Sequence, residues 1–192
     1  MDLILGLDVS TSCTGWCIVT PAGKLVDIGS INLQKIKGTY KKADAVQKCL
    51  KKLAKQHKIK WISIEENLQA FRPGLSSAKT LSVLARFNGI VSLLSYQILG
   101  LEPRHLNVNA ARKTLGIRII RKSHGGKPTK HQVHDWVSDR IEREHPGYQW
   151  PMKTLKSGPR KGEVIFDNSV FDMADAYVIA SALIYDLNIP LN

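Results

Sequence analysis

The sequence predicts an α/β layered domain with a mixed central sheet flanked by helices, and three observations carry that reading. Two short apolar runs with strand character, "LILGL" at 3–7 and "WISI" at 61–64, each stop at an acid, Asp8 and Glu65. Helical periods, not further hairpins, fill most of the chain after residue 40. The order is three strands, a helix, a strand, a helix, a strand and then helices, which is the alternation of a sheet covered by helices.

Residues 3–7 are apolar on both parities, as in a central strand buried on both faces. "TGWCIVT", "PAGK" and "LVDIGSINL" read as two more strands joined by a tight turn. Over 40–57, Ala43, Val46, Leu50 and Leu53 fall at helical spacing with lysines opposite. The second acid-ended strand follows, and "FRPG" makes 66–75 a loop. From Ser76 to Leu99 runs the longest helical pattern, apolar on more than one face, which asks for cover from the sheet and from a second subunit. "HLNVN" predicts a short strand, with Asn109 as the cap of "AARKTLG" and Gly116 as its stop. Another helix is expected over 129–145. Residues 146–163 break every period and predict a long loop or irregular hairpin, inserted before a buried last helix that begins near "DNSV". With no linker or repeat, residues 1–192 are expected to form a single domain.

Charge narrows the partners. Twenty-eight Lys and Arg against sixteen Asp and Glu give a net charge of +12, a field that favours polyanions, nucleic acid above all. Residues 35–60 carry ten lysines and one acid, Asp44; this is either a solvated helix face or a binding surface. Residues 118–130 hold Arg118, Arg121, Lys122, Lys127 and Lys130 with no acid, as a mobile phosphate-contacting loop would. Cys13, Cys17 and Cys49 match neither a disulfide frame nor a zinc pattern. No basic stretch precedes an apolar signal core, and uninterrupted apolar runs fall short of a membrane span, so a cytoplasmic protein without membrane contact is expected.

The acids are the chemical signal. Asp172 and Asp175 stand three apart on one face of the last helix, and if the two acid-ended strands are parallel neighbours, Asp8 and Glu65 emerge at the same sheet edge. Four carboxylates there repel unless a cation lies between them, and hard divalent ions take such oxygen ligands. Two ions can activate water and stabilise the leaving oxygen of a phosphodiester. Each acid also has a plain reading: Asp8 can accept bonds from the "STS" turn, Glu65 can be a strand-end charge and Asp172 can serve a capping box. Glu66 and Asp167 are neighbouring substitutes for members of the set. His131 and His134 read as a helix-surface pair without a third metal ligand.

"LGLDVSTSCTGW", "ISIEEN" and "FDMADAYVIASAL", in this order, resemble the three acidic motifs of the RuvC-type Holliday junction resolvases, within the RNase H-like superfamily. "SSAKTLSVLARFNGIV" is similar to the long helix that supports that family's dimer, and "LNVNAARKTLG" with "KPTKHQV" to its basic segments. The resemblance implies an RNase H-like fold and a homodimeric endonuclease. It would hold two Mg²⁺ or Mn²⁺ ions per site on Asp8, Glu65, Asp172 and Asp175, and resolve four-way or other branched DNA into 5′-phosphate nicks. It implies Lys130 as a junction-contacting lysine, Arg112 or Lys113 as a phosphate contact, and Phe71 near the junction centre; Arg118 and Lys122 join them from the basic loop. "DVSTS" departs from the Pro-Gly that often follows the first aspartate, and the 146–163 insertion is a second departure. Three alternatives stay open: a ribonuclease of the same fold acting on RNA–DNA hybrid or structured RNA, a sugar-kinase or actin-like phosphotransferase suggested by "GLDVSTSCTG", and a non-catalytic DNA-binding module.

Overall fold

The computed structural model describes residues 1–66 and 78–188. The sheet grows outward from β1 (Leu3–Val9), which pairs antiparallel with β2 (Cys13–Val19). β2 pairs antiparallel with β3 (Leu25–Asn32). On its other side β1 runs parallel to β4 (Ile59–Glu65), and β4 parallel to β5 (Arg104–Leu106). The order is β3-β2-β1-β4-β5, the mixed sheet expected from the sequence.

Period-two alternation divides β1 between two cores. Leu3, Leu5, Leu7 and Val9 pack beneath α1 (Thr39–Gln56) and α2 (Ala78–Leu99), against Val46, Leu50, Leu53, Phe87 and Val91. Ile4 faces the opposite core, where α5 (Ser169–Asp186) lies on the sheet beneath α3 (Val108–Thr114) and α4 (Thr129–Glu144). Ile4, Leu5, Leu7, Ile62 and Ile64 are almost fully buried, each worth about 1.5–3 kcal/mol. A one-residue slip would turn all of them to the wrong face, so the register of the acid-bearing strand ends is fixed.

Two glycines let α5 approach the sheet backbone to backbone. A Cβ on Gly6 would stand 2.4 Å from the Ala176 carbonyl oxygen, and one on Gly15 would stand 2.0 Å from that of Asp172. No side chain fits either place.

Several expectations shift in detail. Asn107, not Asn109, caps α3: its Oδ1 accepts from the backbone N–H groups of Asn109 and Ala110 at 3.0 and 3.2 Å, so β5 ends at Leu106. The basic segment 118–130 is pinned, contrary to the expected mobile loop. The Gln132 side chain accepts from Ile120 N–H and donates to the carbonyls of Ile120 and Lys127 at 2.6–2.9 Å, and Lys122–His124 form a 3₁₀ turn. The insertion is a hairpin of β6 (Met152–Thr154) and β7 (Val164–Phe166). α2, 22 residues long, is long and apolar enough to cross a membrane by length and composition, although no uninterrupted apolar run is. Its Phe87 and Val91 are buried in the core, while Leu93 and Tyr96 are more than half exposed.

Candidate active site

The sheet delivers the first two acids together. Leu7 pairs with Ile64 across the parallel β1–β4 ladder, so Asp8 and Glu65 follow side by side at the carboxyl ends of neighbouring strands. By alternation both point to the α5 side. Ser63, on that face, donates to the Ile179 carbonyl at 3.1 Å and ties β4 to α5, while Asn88 of α2 donates to the Glu65 carbonyl at 2.9 Å. α5 contributes Asp172 from its first turn and Asp175 three residues on, the same helix face. All four residues are half-buried, and the Asp175 side chain is 18% exposed.

Neither Asp8 nor Asp172 is taken up by local hydrogen bonding of its turn or helix end. In the "STS" turn, Ser10 Oγ accepts from the Cys13 and Ser12 N–H groups at 3.1 and 3.3 Å and donates to the Cys13 carbonyl, so the turn is closed without Asp8. At the head of α5, Asp167 accepts from Ser169 N–H at 2.9 Å, which gives the capping role to Asp167 and leaves the Asp172 carboxylate to the cleft.

The electrostatics are those of four like charges drawn together in a poorly solvated place. Desolvation, then the charges of Glu65, Asp175 and Asp172, push the Asp8 carboxyl well above its ordinary range. Glu65 is raised to about 7 by desolvation and by Asp175, against a hydrogen bond from Asp8 that holds it down. Asp172 is raised to about 6 by desolvation; a hydrogen bond from Cys13 and the nearby Lys130 charge oppose the rise. Desolvation also raises Asp175, opposed by Arg112, whose Nη2 donates to its Oδ1 at 2.8 Å in a largely buried ion pair. Among the described residues no three Asp, Glu, His or Cys side chains already converge in metal-ligand geometry. The donor set nonetheless fits a hard divalent cation: it is all carboxylate oxygen, and a positive charge would offset the desolvation that raises all four and the mutual repulsion that adds to it at Asp8, Glu65 and Asp172.

The expected DNA-contacting residues divide by placement. Lys113, Arg118 and Lys122 are exposed. Lys130 is exposed too, its Nζ 4.4 Å from the centroid of the Phe171 ring at the head of α5. Arg112 turns inward: its side chain is only 13% exposed and is bound to Asp175, which takes it away from a phosphate-contacting surface. Phe71 lies outside the described residues. His134 is buried among the rings of Trp150, Phe166 and Phe171, and His131 rests on Phe171. This is packing, not ligation.

No family model matches the chain. Over 133 residues, 68% of this chain and 77% of the relative, it is 33% identical to the crossover junction endodeoxyribonuclease RuvC of Aliarcobacter butzleri (strain RM4018). The chain belongs to the RuvC family. Its backbone matches the Thermus thermophilus RuvC solved with a Holliday junction substrate, with a TM-score of 0.61 over 98% of this chain and 96% of that one at 13% identity. It also matches the yeast mitochondrial Holliday junction resolvase Ydc2, with a TM-score of 0.57 over 94% of this chain and 77% of that one at 17% identity. These likenesses establish the RNase H-like fold expected from the three motifs. Two features of this RuvC-family site escape motif reading. The Arg112–Asp175 pair joins residues 63 positions apart. Gly15 seats Asp172 against β2, and its signal in the sequence is a glycine inside a buried strand.

Proposed function

We propose that this protein is a divalent-metal-dependent, structure-selective endonuclease that resolves four-way and related branched DNA by two symmetric cuts, leaving 5′-phosphate nicks. The observation that carries this reading is the meeting of Asp8, Glu65, Asp172 and Asp175 at one sheet end, all pushed upward in pKa, inside a chain of net charge +12. Asp8, Glu65, Asp172 and Asp175 would hold two Mg²⁺ or Mn²⁺ ions, which when bound supply the charge that activates water and stabilises the departing 3′ oxygen. Strand ends and a buried helix fix these carboxylates more accurately than loops would. Arg112 orients Asp175 through their ion pair. Lys130, exposed and near enough to Asp172 to lower its pKa, would bind the phosphate backbone of the cut strand. Lys113, Arg118 and Lys122 extend the basic surface along which duplex arms would lie.

Two symmetric cuts need two sites in register, and the exposed apolar side of α2 suits a two-fold partner. Leu93 and Tyr96, 56% and 55% exposed, stand three apart on one helix face. The reading places the protein with its DNA, in the cytoplasm.

The test is cleavage of an immobile four-way junction beside linear duplex and RNA–DNA hybrid, with Mg²⁺, Mn²⁺ or EDTA, for wild type and Asp8→Asn. Paired symmetric nicks in the junction alone are expected, absent in EDTA and in the variant, with junction binding retained. Cutting of the hybrid with the junction intact would move the protein to the ribonuclease branch of the fold.

A further inference from the structure

The hairpin β6–β7 has no part in the chemistry described so far, yet its foot is built into the wall of the acid cluster. The rings of Trp150 and Phe166, at its two ends, close on His134 of α4 with centroids 4.6 and 4.9 Å away. Asp167, immediately after β7, donates its N–H to the Pro151 carbonyl at 2.8 Å and faces Lys153 Nζ at 3.8 Å. Two residues later α5 begins and carries Asp172. The hairpin is thus oriented by the same segment that sets an acid of the site. A cavity of about 240 Å³ joins the two, lined by Lys153 and Asp172 with Ser12, Asn32 and Gln34 among its polar walls.

The tip is a defined, cationic turn. Leu155 N–H donates to the Glu163 carbonyl and Gly162 N–H to the Leu155 carbonyl, both at 2.9 Å, which holds Lys156 and Lys161 near each other across the turn. Gly158 and Gly162 take φ of +82° and +93°, a backbone that other residues adopt only under strain. Arg160 is matched by Glu163 at 2.6 Å, whereas Lys156 and Lys161 are exposed and form no ion pair among the described residues. Two unmatched ammonium groups on a hydrogen-bonded turn of the hairpin that lines the cleft suit a phosphate backbone, which such charges position without reading sequence.

We propose that the β6–β7 hairpin is a DNA-arm clamp, in which Lys156 and Lys161 bind backbone phosphates of the duplex arm that leaves the cleft past Lys153. The inference rests on the endonuclease reading above. Its occupant is duplex DNA adjoining the cut strand.

The experiment measures junction affinity against salt for Lys156→Ala/Lys161→Ala, in the Asp8→Asn background so that no strand is cut, together with hydroxyl-radical footprints of the four arms. Both lysines are exposed, so melting temperature should not change and serves as the folding control. Each lost phosphate contact lowers the log–log salt slope by about 0.9. The pair should lower it by about 1.8, making the affinity drop between about 50 and 200 mM salt some 12-fold smaller, and protection should fade on one symmetry-related pair of arms. An unchanged slope, or weakening spread evenly over all arms, would overturn the clamp. Failure of the Asp8→Asn parent to bind junctions at all would instead strike the endonuclease reading. Weakening of the variant toward a protein partner but not toward DNA would also overturn the clamp.

Discussion

Replacing Glu65 by Gln should make the protein more stable in a chelator at alkaline pH while removing its ability to cut. The Glu65 carboxyl sits at about 7 in the fold against an ordinary 4.5, because desolvation and Asp175 disfavour its charge. Below about pH 4.5 it is neutral in folded and unfolded chains alike, and the retained proton contributes its full stabilisation. As pH rises toward 7 the unfolded chain releases a proton that the fold keeps, and stability is lost until the folded group also ionises. At 1.36 kcal/mol per pKa unit the loss reaches about 3 kcal/mol by pH 8. Gln keeps the shape and carries no charge, so it escapes this loss, and for a chain of this length the difference corresponds to about 6–12 °C in melting temperature. Calorimetry in EDTA should find the variant melting higher than wild type at pH 8.5 and the gap closing toward pH 4.5. Saturating Mn²⁺ should reverse the order: wild type gains about 2.7 kcal/mol at one hundred times its Kd, and a variant short of a ligand gains less. A variant that melts below wild type at pH 8.5 in EDTA, or a gap that does not change with pH, would refute the picture of a self-repelling acid cluster.

Three further outcomes follow from the same geometry. Gly15→Ala should cost about 3 kcal/mol in urea unfolding and lose junction cleavage, because the added methyl meets the Asp172 backbone and not a side chain that can yield; a variant of wild-type activity would count against the close seating of α5. Arg112→Gln should lower stability in EDTA by about 3 kcal/mol by leaving Asp175 without its cation, and should enlarge the Mn²⁺-induced rise in melting temperature; equal rises in both proteins would deny the link between the pair and the metal site. Leu93→Glu with Tyr96→Glu should shift the protein to monomer in sedimentation, abolish paired nicking and remove the dependence of melting temperature on protein concentration; an intact dimer would place the interface elsewhere.

The local readings held where a strong pattern met an unambiguous period. The apolar parity of β1, the 3.6-residue rhythm of α1 and the acidic ends of β1 and β4 are properties of short segments, and the fold left them in place. Boundaries were less legible: Asn107 and Asn109 are both competent caps, and the one chosen depends on where β4 lets β5 end. The basic segment 118–130 looked free because its polar fastening comes from Gln132 on the following helix, an interaction with no sequence period. Arg112 and Lys113 offer the same charge to motif reading, and only the fold shows that Arg112 turns inward to Asp175 while Lys113 stays exposed.

The residue types of the chemistry are legible in the chain alone: four acids at two strand ends and on one helix face, in a chain whose remaining charge is strongly positive. How they meet is set by packing between elements. The parallel pairing of β1 with β4, the glycine-mediated seating of α5 on β1 and β2, and the inward turn of Arg112 each join residues far apart in the chain. Periodicity reports which face a residue occupies on its own element, but a site is made by elements facing one another, and that depends on packing across the sheet.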